Sequence, residues 1–285
     1  MSSFFRHNPQ RSLDLGRRFI EEIRPGKMQS RNSARRNNPL RWQIWPPPQK
    51  ATPRIAEDMR IYAIGDVHGR LDLLQRMLDA IDENLASNPI ENAVQVLLGD
   101  YIDRGPNSRE VIETLLARRR RHAMICLKGN HESYPLAFLN DPTIWSEWRR
   151  VGGVNTLHSY GLQPSAVDDL SEQLKIAEAF GDVLPESHRR FLLGLPLSFT
   201  CGDYFFAHAG ARPGVPLAQQ REHDLLWIRD EFLLHEAQFE KVVVHGHTPG
   251  KKVDIRANRI NIDTGAYATG RLTCLVLQGD QMSVI

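Results

Sequence analysis

The feature that most limits what this chain can fold into is a series of short apolar runs that alternate with helix-like segments. Each run is four to six residues long and rich in aliphatic and aromatic residues, as expected of buried strands. The strand candidates lie at residues 60–64, 94–98, 123–127, 204–207, 241–244, 259–262 and 272–277. Apolar residues recur at helical spacing from Leu71 to Leu85, and a second helical pattern covers residues 108–121. This alternation predicts an α/β domain, with mixed or antiparallel pairing near the C-terminus.

The composition predicts a cytoplasmic protein without a membrane partner. The 285 residues are 41% hydrophobic and 25% charged, which is ordinary for a globular protein. No run approaches the roughly 20 apolar residues that cross a bilayer, and the N-terminus lacks the apolar core of a secretory signal. The three cysteines are widely spaced and form no C-x-x-C pair. This pattern favours a reduced compartment over a disulfide framework or a cysteine metal site.

The charge is divided unevenly along the chain. Residues 1–60 carry 13 Lys and Arg against 5 Asp and Glu, whereas the remaining 225 carry 23 against 29. Residues 1–58 are rich in Pro, Arg and Asn and poor in apolar surface, so we expect them to be mostly disordered. We expect one domain over residues 59–285, with a helical cap or insert at about 140–200, and a further hypothesis is that the working protein starts at Met59. The acidic body has no motif that reads DNA or RNA, so nucleic acid is not an expected partner.

Polar side chains able to bind a metal follow five of the strand candidates, usually beside a glycine. In chain order the clusters are Asp66 and His68; Asp100, Asp103 and Arg104; Asn130, His131 and Glu132; His208; and His245 and His247. Ligands bind at the carboxyl ends of strands in open α/β sheets, so we expect these clusters to converge. A turn, a helix cap or a hydrogen-bonded core histidine would explain each motif alone. Five clusters in the same position after strands favour a shared site over five separate turns.

The residue types in these clusters indicate which metals they would bind. Carboxylates and imidazoles together suit Mn²⁺, Fe or Zn²⁺, whereas an all-oxygen site would suit Mg²⁺ or Ca²⁺. One carboxylate can bridge two ions, and two ions about 3.5–4 Å apart stabilise both the attacking and the leaving oxygen of a displacement at phosphorus. The glycines let the backbone approach the ions without a Cβ in the way. The set therefore predicts two divalent cations per chain, with Mn²⁺ as the first expectation.

The motifs G-D-x-H-G, G-D-x-x-D-R-G, G-N-H-E, H-x-G and G-H-T, in this order, resemble those of the calcineurin-like metallophosphoesterases. More narrowly, the sequence resembles the bacterial serine/threonine-phosphatase branch of the phosphoprotein phosphatases, over roughly residues 60–275. The resemblance implies a four-layer α/β/β/α sandwich with a dinuclear metal site at the carboxyl ends of its strands. It also implies a phosphorylated protein or peptide as substrate, with small phosphoesters as further candidates.

The resemblance implies a role for each matching residue. The metal ligands would be Asp66 and His68 for the first ion, Asp100 bridging both ions, and Asn130, His208 and His247 for the second. His131 would protonate the leaving alkoxide, with Asp103 fixing its orientation. The substrate phosphate would be held by Arg104, Asn130 and Arg229, the last of which lies in DLLWIRDEF. A hydroxide that bridges the two ions would attack phosphorus directly, without a covalent phosphoenzyme.

Two other functions stay open beside a serine/threonine phosphoprotein phosphatase. Dinucleoside polyphosphate hydrolases, which cleave diadenosine tetraphosphate, share these motifs but typically carry G-N-H-D, whereas Glu132 gives G-N-H-E here. A non-catalytic metal-binding scaffold predicts that a ligand or the acid is missing, and none is missing from the sequence.

The sequence departs from related families at two places. Many broader metallophosphoesterases carry a last metal-binding histidine at the position where this chain has Pro249. The phosphoprotein phosphatases also lack that histidine, so its absence supports the narrower resemblance. His245 is not assigned as a metal ligand. NIDTGAY at 261–267 replaces the SAPNY segment of the eukaryotic members, so their substrate surface is not expected here. Trp145 and Trp148, within the expected cap, either pack its interior or shape a substrate groove.

Overall fold

The computed structural model describes residues 52–165 and 169–285. The prediction of disorder covers residues 1–58, and residues 1–51 of that segment lie outside the described residues. Among the residues that are described, no helix combines the length and the apolar character needed to cross a bilayer.

Residues 53–58 pack against the domain that follows them. The compact unit spans Pro53–Ile285. Ile55 is buried in its core, and the backbone N–H of Ile55 donates to the carbonyl of Gly279. The folded unit thus includes several residues before Met59.

Strands and helices alternate along the described residues. The strands are β1 Met59–Ile64, β2 Asn92–Leu97, β3 Ala123–Cys126, β4 Ser198–Cys201, β5 Tyr204–Ala207, β6 Val242–His245, β7 Asp254–Ile255, β8 Arg259–Asn261, β9 Cys274–Gln278 and β10 Gln281–Val284. The α-helices are α1 Leu71–Ser87, α2 Ser108–Arg118, α3 Ser133–Asn140, α4 Trp145–Arg150, α5 Gly153–Ser159, α6 Leu170–Val183, α7 Glu186–Leu193, α8 Glu222–Trp227, α9 Asp230–Leu233 and α10 Ala266–Thr269.

The strands form two mixed sheets. The first has the order β10-β9-β1-β2-β3, in which β1, β2 and β3 are parallel. The second has the order β4-β5-β6-β8-β7, in which β5, β6 and β8 are parallel and the two outer strands are antiparallel. The β1–β2 register runs from Met59 opposite Asn92 to Ile64 opposite Leu97. Neighbouring parallel strands therefore end together, at one edge of each sheet.

Apolar side chains on both faces of the sheets create four layers. Ile61 and Ala63 of β1 point into the core between the two sheets, whereas Tyr62 and Ile64 pack against α1 and α2. Such alternation is what a strand buried on both faces requires. The outer face of the second sheet packs against α8 and α9 through a cluster that includes Phe232. The structure confirms the predicted α/β/β/α sandwich.

The helices α3 to α6 have an apolar cluster of their own. Phe138, Trp145, Trp148 and Phe180 are fully buried within it. Because both tryptophan side chains are inaccessible to solvent, they pack this cluster, and the alternative that they line a substrate groove is wrong.

Candidate metal centre

The predicted clusters lie in loops that leave the carboxyl ends of parallel strands. Asp66 and His68 follow β1, Asp100 to Arg104 follow β2, Asn130 to Glu132 follow β3, His208 follows β5, and His247 follows β6. These side chains are buried, apart from the half-buried Arg104. The topology therefore gathers residues from both sheets at one end of the sandwich.

Unfavourable backbone conformations mark the same loops. Among the described residues other than glycine, positive φ angles between 47° and 70° occur at His68, Asp100, Asp103, Arg104 and His247. A Cβ disfavours this left-handed conformation, so such residues persist only where their surroundings hold them. All five are site candidates on the sequence alone, and the backbone strain identifies them independently.

Asp100 divides its two carboxylate oxygens between two groups of ligand atoms. Its Oδ2 lies 3.3 Å from His68 Nε2, whereas its Oδ1 lies 3.3 Å from His208 Nε2. These distances between ligand atoms suit a cation held between each pair. The arrangement is the one that a carboxylate bridging two ions requires.

A tight group of three ligand atoms stands on the Oδ1 side of Asp100. Asn130 Oδ1 lies 2.9 Å from both His208 Nε2 and His247 Nδ1, and the two imidazole nitrogens are 3.2 Å apart. Residues from β3, β5 and β6 meet here, so the predicted second-ion ligands converge across the two sheets.

Hydrogen bonds on the outer side of each ring fix which imidazole nitrogen faces the centre. The Nδ1 of His68 lies 2.9 Å from the carbonyl of Ile102, and the Nδ1 of His208 lies 3.0 Å from the carbonyl of Leu98. A carbonyl only accepts, so each Nδ1 carries the proton and each Nε2 presents a lone pair to the centre. Burial lowers the pKa of His68 to about 3 and that of His247 to about 2, which keeps both rings neutral.

The residues present therefore fit divalent cations. The lone pair of His208 Nε2 faces both Asn130 Oδ1 and Asp100 Oδ1 with no hydrogen between them, and such an arrangement is repulsive unless a cation lies among these atoms. Two His/Asp groups in the described part of the chain have ligand atoms close enough to hold an ion, and both include Asp100. One of these groups also contains His131.

Asp66, in the loop after β1, belongs to neither of these two groups but has one carboxylate oxygen still available. Its Oδ2 accepts from the backbone N–H of His247 at 3.0 Å, and its Oδ1 has no hydrogen-bond partner among the described residues. A Cβ on Gly246 would overlap this Oδ1. The buried, unpaired oxygen is a further atom suited to a metal ion.

Asp263 is a buried carboxylate near the site that the sequence interpretation missed. Burial, together with the carboxylates of Asp263 and Asp100, raises the pKa of Asp66 well above its ordinary value. Burial also raises the pKa of Asp263 to about 6. Asp263 follows the strand candidate at 259–262, so the strand-end pattern that identified the other clusters would have identified it too.

Glu132 links the loop that follows β2 to the loop that follows β3 through hydrogen bonds to their backbones. Its carboxylate accepts from the backbone N–H groups of Asp100 at 2.9 Å, Tyr101 at 2.8 Å and Gly129 at 2.9 Å. Burial raises the pKa of Glu132 to about 7. These three bonds hold the loop that follows β2 against the loop that follows β3.

His131 and Asp103 form a hydrogen-bonded pair beside Asp100. The Nδ1 of His131 lies 2.6 Å from Asp103 Oδ2, and its Nε2 lies 3.3 Å from Arg104 Nη2 and 3.7 Å from Asp100 Oδ2. Burial would lower the pKa of His131, but Asp100 and Asp103 raise it above its ordinary value. The Arg104 guanidinium lies over the Tyr267 ring, 4.5 Å from its centre.

Two predicted candidates lie outside this group of contacts. Arg229 is exposed, and its Nη1 donates to Thr248 Oγ1 at 3.2 Å. Burial of the His247 ring is the main cause of its lowered pKa, and the positive charge of Arg229 lowers that pKa further. The Nδ1 of His245 lies 3.1 Å from the carbonyl of Gly246, and its ring packs at 4.8 Å against Phe232. His245 thus faces the helical layer, in keeping with its not being assigned as a ligand.

Comparison with other proteins gives several relatives with different activities. The chain is 31% identical to the zinc-dependent endopolyphosphatase of Saccharomyces cerevisiae over 163 residues, which are 53% of this chain and 47% of that protein. It is 30% identical to the symmetrical bis(5'-nucleosyl)-tetraphosphatase of Pseudomonas putida over 144 residues, 50% of this chain and 45% of that protein. It is 26% identical to serine/threonine-protein phosphatase 2 of Escherichia coli over 232 residues, 75% of this chain and 90% of that protein. The first two matches span less than half of those relatives.

The fold and the family model agree with each other. A crystal structure of a cold-active protein tyrosine phosphatase is 13% identical and superposes with a TM-score of 0.50, over 81% of each chain. The family model of the calcineurin-like phosphoesterases matches residues 59–274. That range holds both sheets up to β9 and every candidate ligand described above. The protein therefore belongs to the calcineurin-like phosphoesterase family.

Proposed function

We propose that this protein is a metal-dependent phosphomonoester hydrolase that acts on phosphoserine and phosphothreonine in proteins or peptides. The observation that carries the proposal is the division of the two Asp100 oxygens between separate ligand groups, with the His131–Asp103 pair beside them. One ion would be held by Asp66, His68 and Asp100, and the other by Asp100, Asn130, His208 and His247. Bound ions would supply Lewis-acid activation of the attacking water and of the phosphoryl group.

The remaining side chains would bind and protonate the substrate. Arg104 is half-buried and its planar guanidinium can pair with two phosphate oxygens at once. Asn130 and Arg229 are further candidates for the phosphate. His131 would hold a proton at Nε2 and donate it to the leaving alkoxide, while Asp103 keeps the other nitrogen protonated.

Mn²⁺ is the ion that we propose for both positions. The ligand set combines carboxylate, amide and imidazole, which suits Mn²⁺, Fe or Zn²⁺. The Saccharomyces cerevisiae relative is named zinc-dependent. Activity restored separately with each ion would decide among them.

A second candidate is hydrolysis of dinucleoside polyphosphates, since the Pseudomonas putida relative carries that name. The length of the match does not decide between the two candidates, because relatives named for each activity match about three quarters of this chain, 75% for the phosphatase and 74% for an asymmetrical bis(5'-nucleosyl)-tetraphosphatase of Anoxybacillus flavithermus. The G-N-H-E motif that ends at Glu132 favours the phosphoprotein substrate.

The test compares turnover of a phosphothreonine peptide with turnover of diadenosine tetraphosphate, after reconstitution with Mn²⁺. We expect the larger kcat/KM on the peptide. A larger value on the dinucleotide would assign the protein to the second candidate. No turnover of either substrate by fully metal-loaded protein would contradict both and support a non-catalytic scaffold.

The role of His131 has its own test. The change His131→Asn is expected to lower kcat on the phosphopeptide by about 10²–10⁴-fold, the usual contribution of a positioned acid. The metal content should stay near two ions per chain, because the six proposed metal ligands are intact. An unchanged kcat would remove His131 from the acid role.

A further inference from the structure

The helical cluster formed by α3 to α6 contacts the site through the carboxylate of Asp103. Trp148 of α4 donates its indole N–H to Asp103, with Nε1 3.0 Å from each carboxylate oxygen. Thr156 of α5 donates its hydroxyl to Asp103 Oδ1 at 2.5 Å. Asp103 itself is fully buried. Two donors from the helical cluster therefore fix the carboxylate that in turn holds His131.

The same stretch of chain also holds the backbone that carries Asp103 and Arg104. The hydroxyl oxygen of Thr156 accepts from the N–H of Asp103 at 3.0 Å, and the carbonyl of Gly152 accepts from the N–H of Arg104 at 3.3 Å. The side-chain amide of Asn155 donates to the carbonyl of Arg104. Asp103 and Arg104 have φ angles of 70° and 66°, and these bonds offset the cost of that conformation.

A comparison within the cluster separates packing from hydrogen bonding. Trp145 and Trp148 are both fully buried, and their rings pack edge to face at 5.9 Å. The Nε1 of Trp145 has no partner among the described residues, whereas that of Trp148 points at Asp103. Trp145 shows that a tryptophan can pack in this cluster without a hydrogen bond from its indole N–H. The hydrogen bond from Trp148 to Asp103 is therefore not a requirement of packing.

We propose that Trp148 and Thr156 are positioning residues for the acid His131, acting through Asp103. The proposal rests on the proposed function, in which His131 protonates the leaving group. Hydrogen bonds to a carboxylate are stronger than those between neutral groups, and the two from Trp148 and Thr156 hold the Asp103 carboxylate in one orientation. The position of the Asp103 carboxylate then determines the orientation of the His131 ring, whose Nδ1 lies 2.6 Å from Asp103 Oδ2. Trp148 and Thr156 thereby connect the helical cluster to the proposed acid, whereas Trp145 only packs within the cluster.

The experiment uses the full chain loaded with Mn²⁺ and two substrates that differ in their need for an acid. The leaving group of p-nitrophenyl phosphate departs as a stabilised phenolate, whereas that of phenyl phosphate is more basic and needs the proton more. The variants are Trp148→Phe, which keeps an aromatic ring without the N–H, and Thr156→Val, which keeps the shape without the hydroxyl. Trp145→Phe is the matched control for packing, and Thr156→Ser restores the hydroxyl.

For Trp148→Phe and Thr156→Val we expect kcat on phenyl phosphate to fall about 10- to 100-fold, since small misplacements of a catalytic group can cost up to about 10²-fold. On p-nitrophenyl phosphate kcat should fall by less than about 3-fold, because a loss confined to proton transfer affects this substrate least. KM and metal content should stay at wild-type values. Trp145→Phe and Thr156→Ser should behave like the wild type on both substrates.

An equal loss on both substrates would overturn the proposal, as would a similar loss in Trp145→Phe. If Trp148→Phe does not fold, Thr156→Val alone decides, since it removes no volume from the cluster. A wild-type protein that binds two ions and hydrolyses neither substrate would instead contradict the proposed function. A wild type that hydrolyses both, with no dependence on these side chains, would contradict only the present inference.

Discussion

Glu132 shows how one residue can build the centre without binding an ion. Its carboxylate accepts from the backbone N–H groups of Asp100, Tyr101 and Gly129, and from that of Ile102 at 3.4 Å, so these bonds lie on both sides of the Asp100 side chain. Asp100 has a φ angle of 53°, an unfavourable value for a residue with a side chain. The Glu132 carboxylate thus stabilises the one conformation in which Asp100 reaches both ligand groups.

The change Glu132→Gln should therefore destabilise the protein. It replaces one acceptor by an amide that faces a backbone N–H, and the unsatisfied buried donor costs about 2 kcal/mol. For a domain of this size the Tm should fall by about 4–8 °C, measured by circular dichroism without added metal. The control is Glu113→Gln on the exposed face of α2, where loss of the bond to Arg109 should change the free energy of unfolding by at most about 0.5 kcal/mol. Equal Tm values for the two variants would contradict this role of Glu132.

Loops at the ends of strands bring the ligands close by using glycine where a side chain would intrude. Gly246 follows β6 and lies against Asp66, so that a Cβ there would overlap the Oδ1 of that carboxylate. Gly129 lies against Asp100 in the same way. Glycine at these two positions is required by close approach of the carboxylates.

The change Gly246→Ala is expected to displace Asp66 and lower the metal content from two ions per chain toward one, while the fold is kept. Elemental analysis after dialysis measures this content. Gly181→Ala in α6 is the matched control, because its Cβ would meet only Leu139 Cδ2 at an ordinary 3.5 Å. Two ions per chain in Gly246→Ala would show that Asp66 is not needed as a ligand.

Strands with buried apolar runs were predictable from the sequence, and exposed edge strands were not. β5 matches its predicted range of 204–207, and β1 begins one residue before its own. β10 at Gln281–Val284 is exposed along its whole length and lacks an apolar run, so no pattern predicted it. β4 at Ser198–Cys201 is an edge strand that is only half-buried, with the same consequence. Pairing with a neighbour, which local sequence does not encode, makes these segments strands.

The same limit applies to the site. Residues such as Asp100 were predictable because a carboxylate directly after a buried strand is unusual. The link from Trp148 to Asp103 joins positions 45 residues apart, and no local pattern indicates it. Trp148 could be predicted only as an apolar core residue, and its packing is indeed one of its two uses.

For the molecule as a whole, the core between the sheets includes a residue that precedes the first strand. Ile55 is 2% exposed and packs in the cluster that joins β1 to β5 and β6. The backbone N–H of Arg54 also donates to Asp203 Oδ2 at 3.0 Å. The segment 53–58 therefore supports both sheets.

A chain that starts at Pro53 is expected to fold with the stability of the full chain. A chain that starts at Met59 should lose about 2–4 kcal/mol of unfolding free energy, because removal of a buried isoleucine side chain has a cost of this size. Urea denaturation of the two truncated chains measures the difference. Equal stabilities would support the hypothesis that the working protein starts at Met59.

The central claim is that Asp100 bridges two divalent ions, and electron paramagnetic resonance during Mn²⁺ titration of the metal-free protein tests it most directly. We expect saturation at two ions per chain, with the spectrum of isolated ions replaced by that of an exchange-coupled pair. Asp100→Asn should bind both ions more weakly and lose the coupling. Saturation at one ion, or a spectrum of isolated Mn²⁺ at every loading, would contradict the claim.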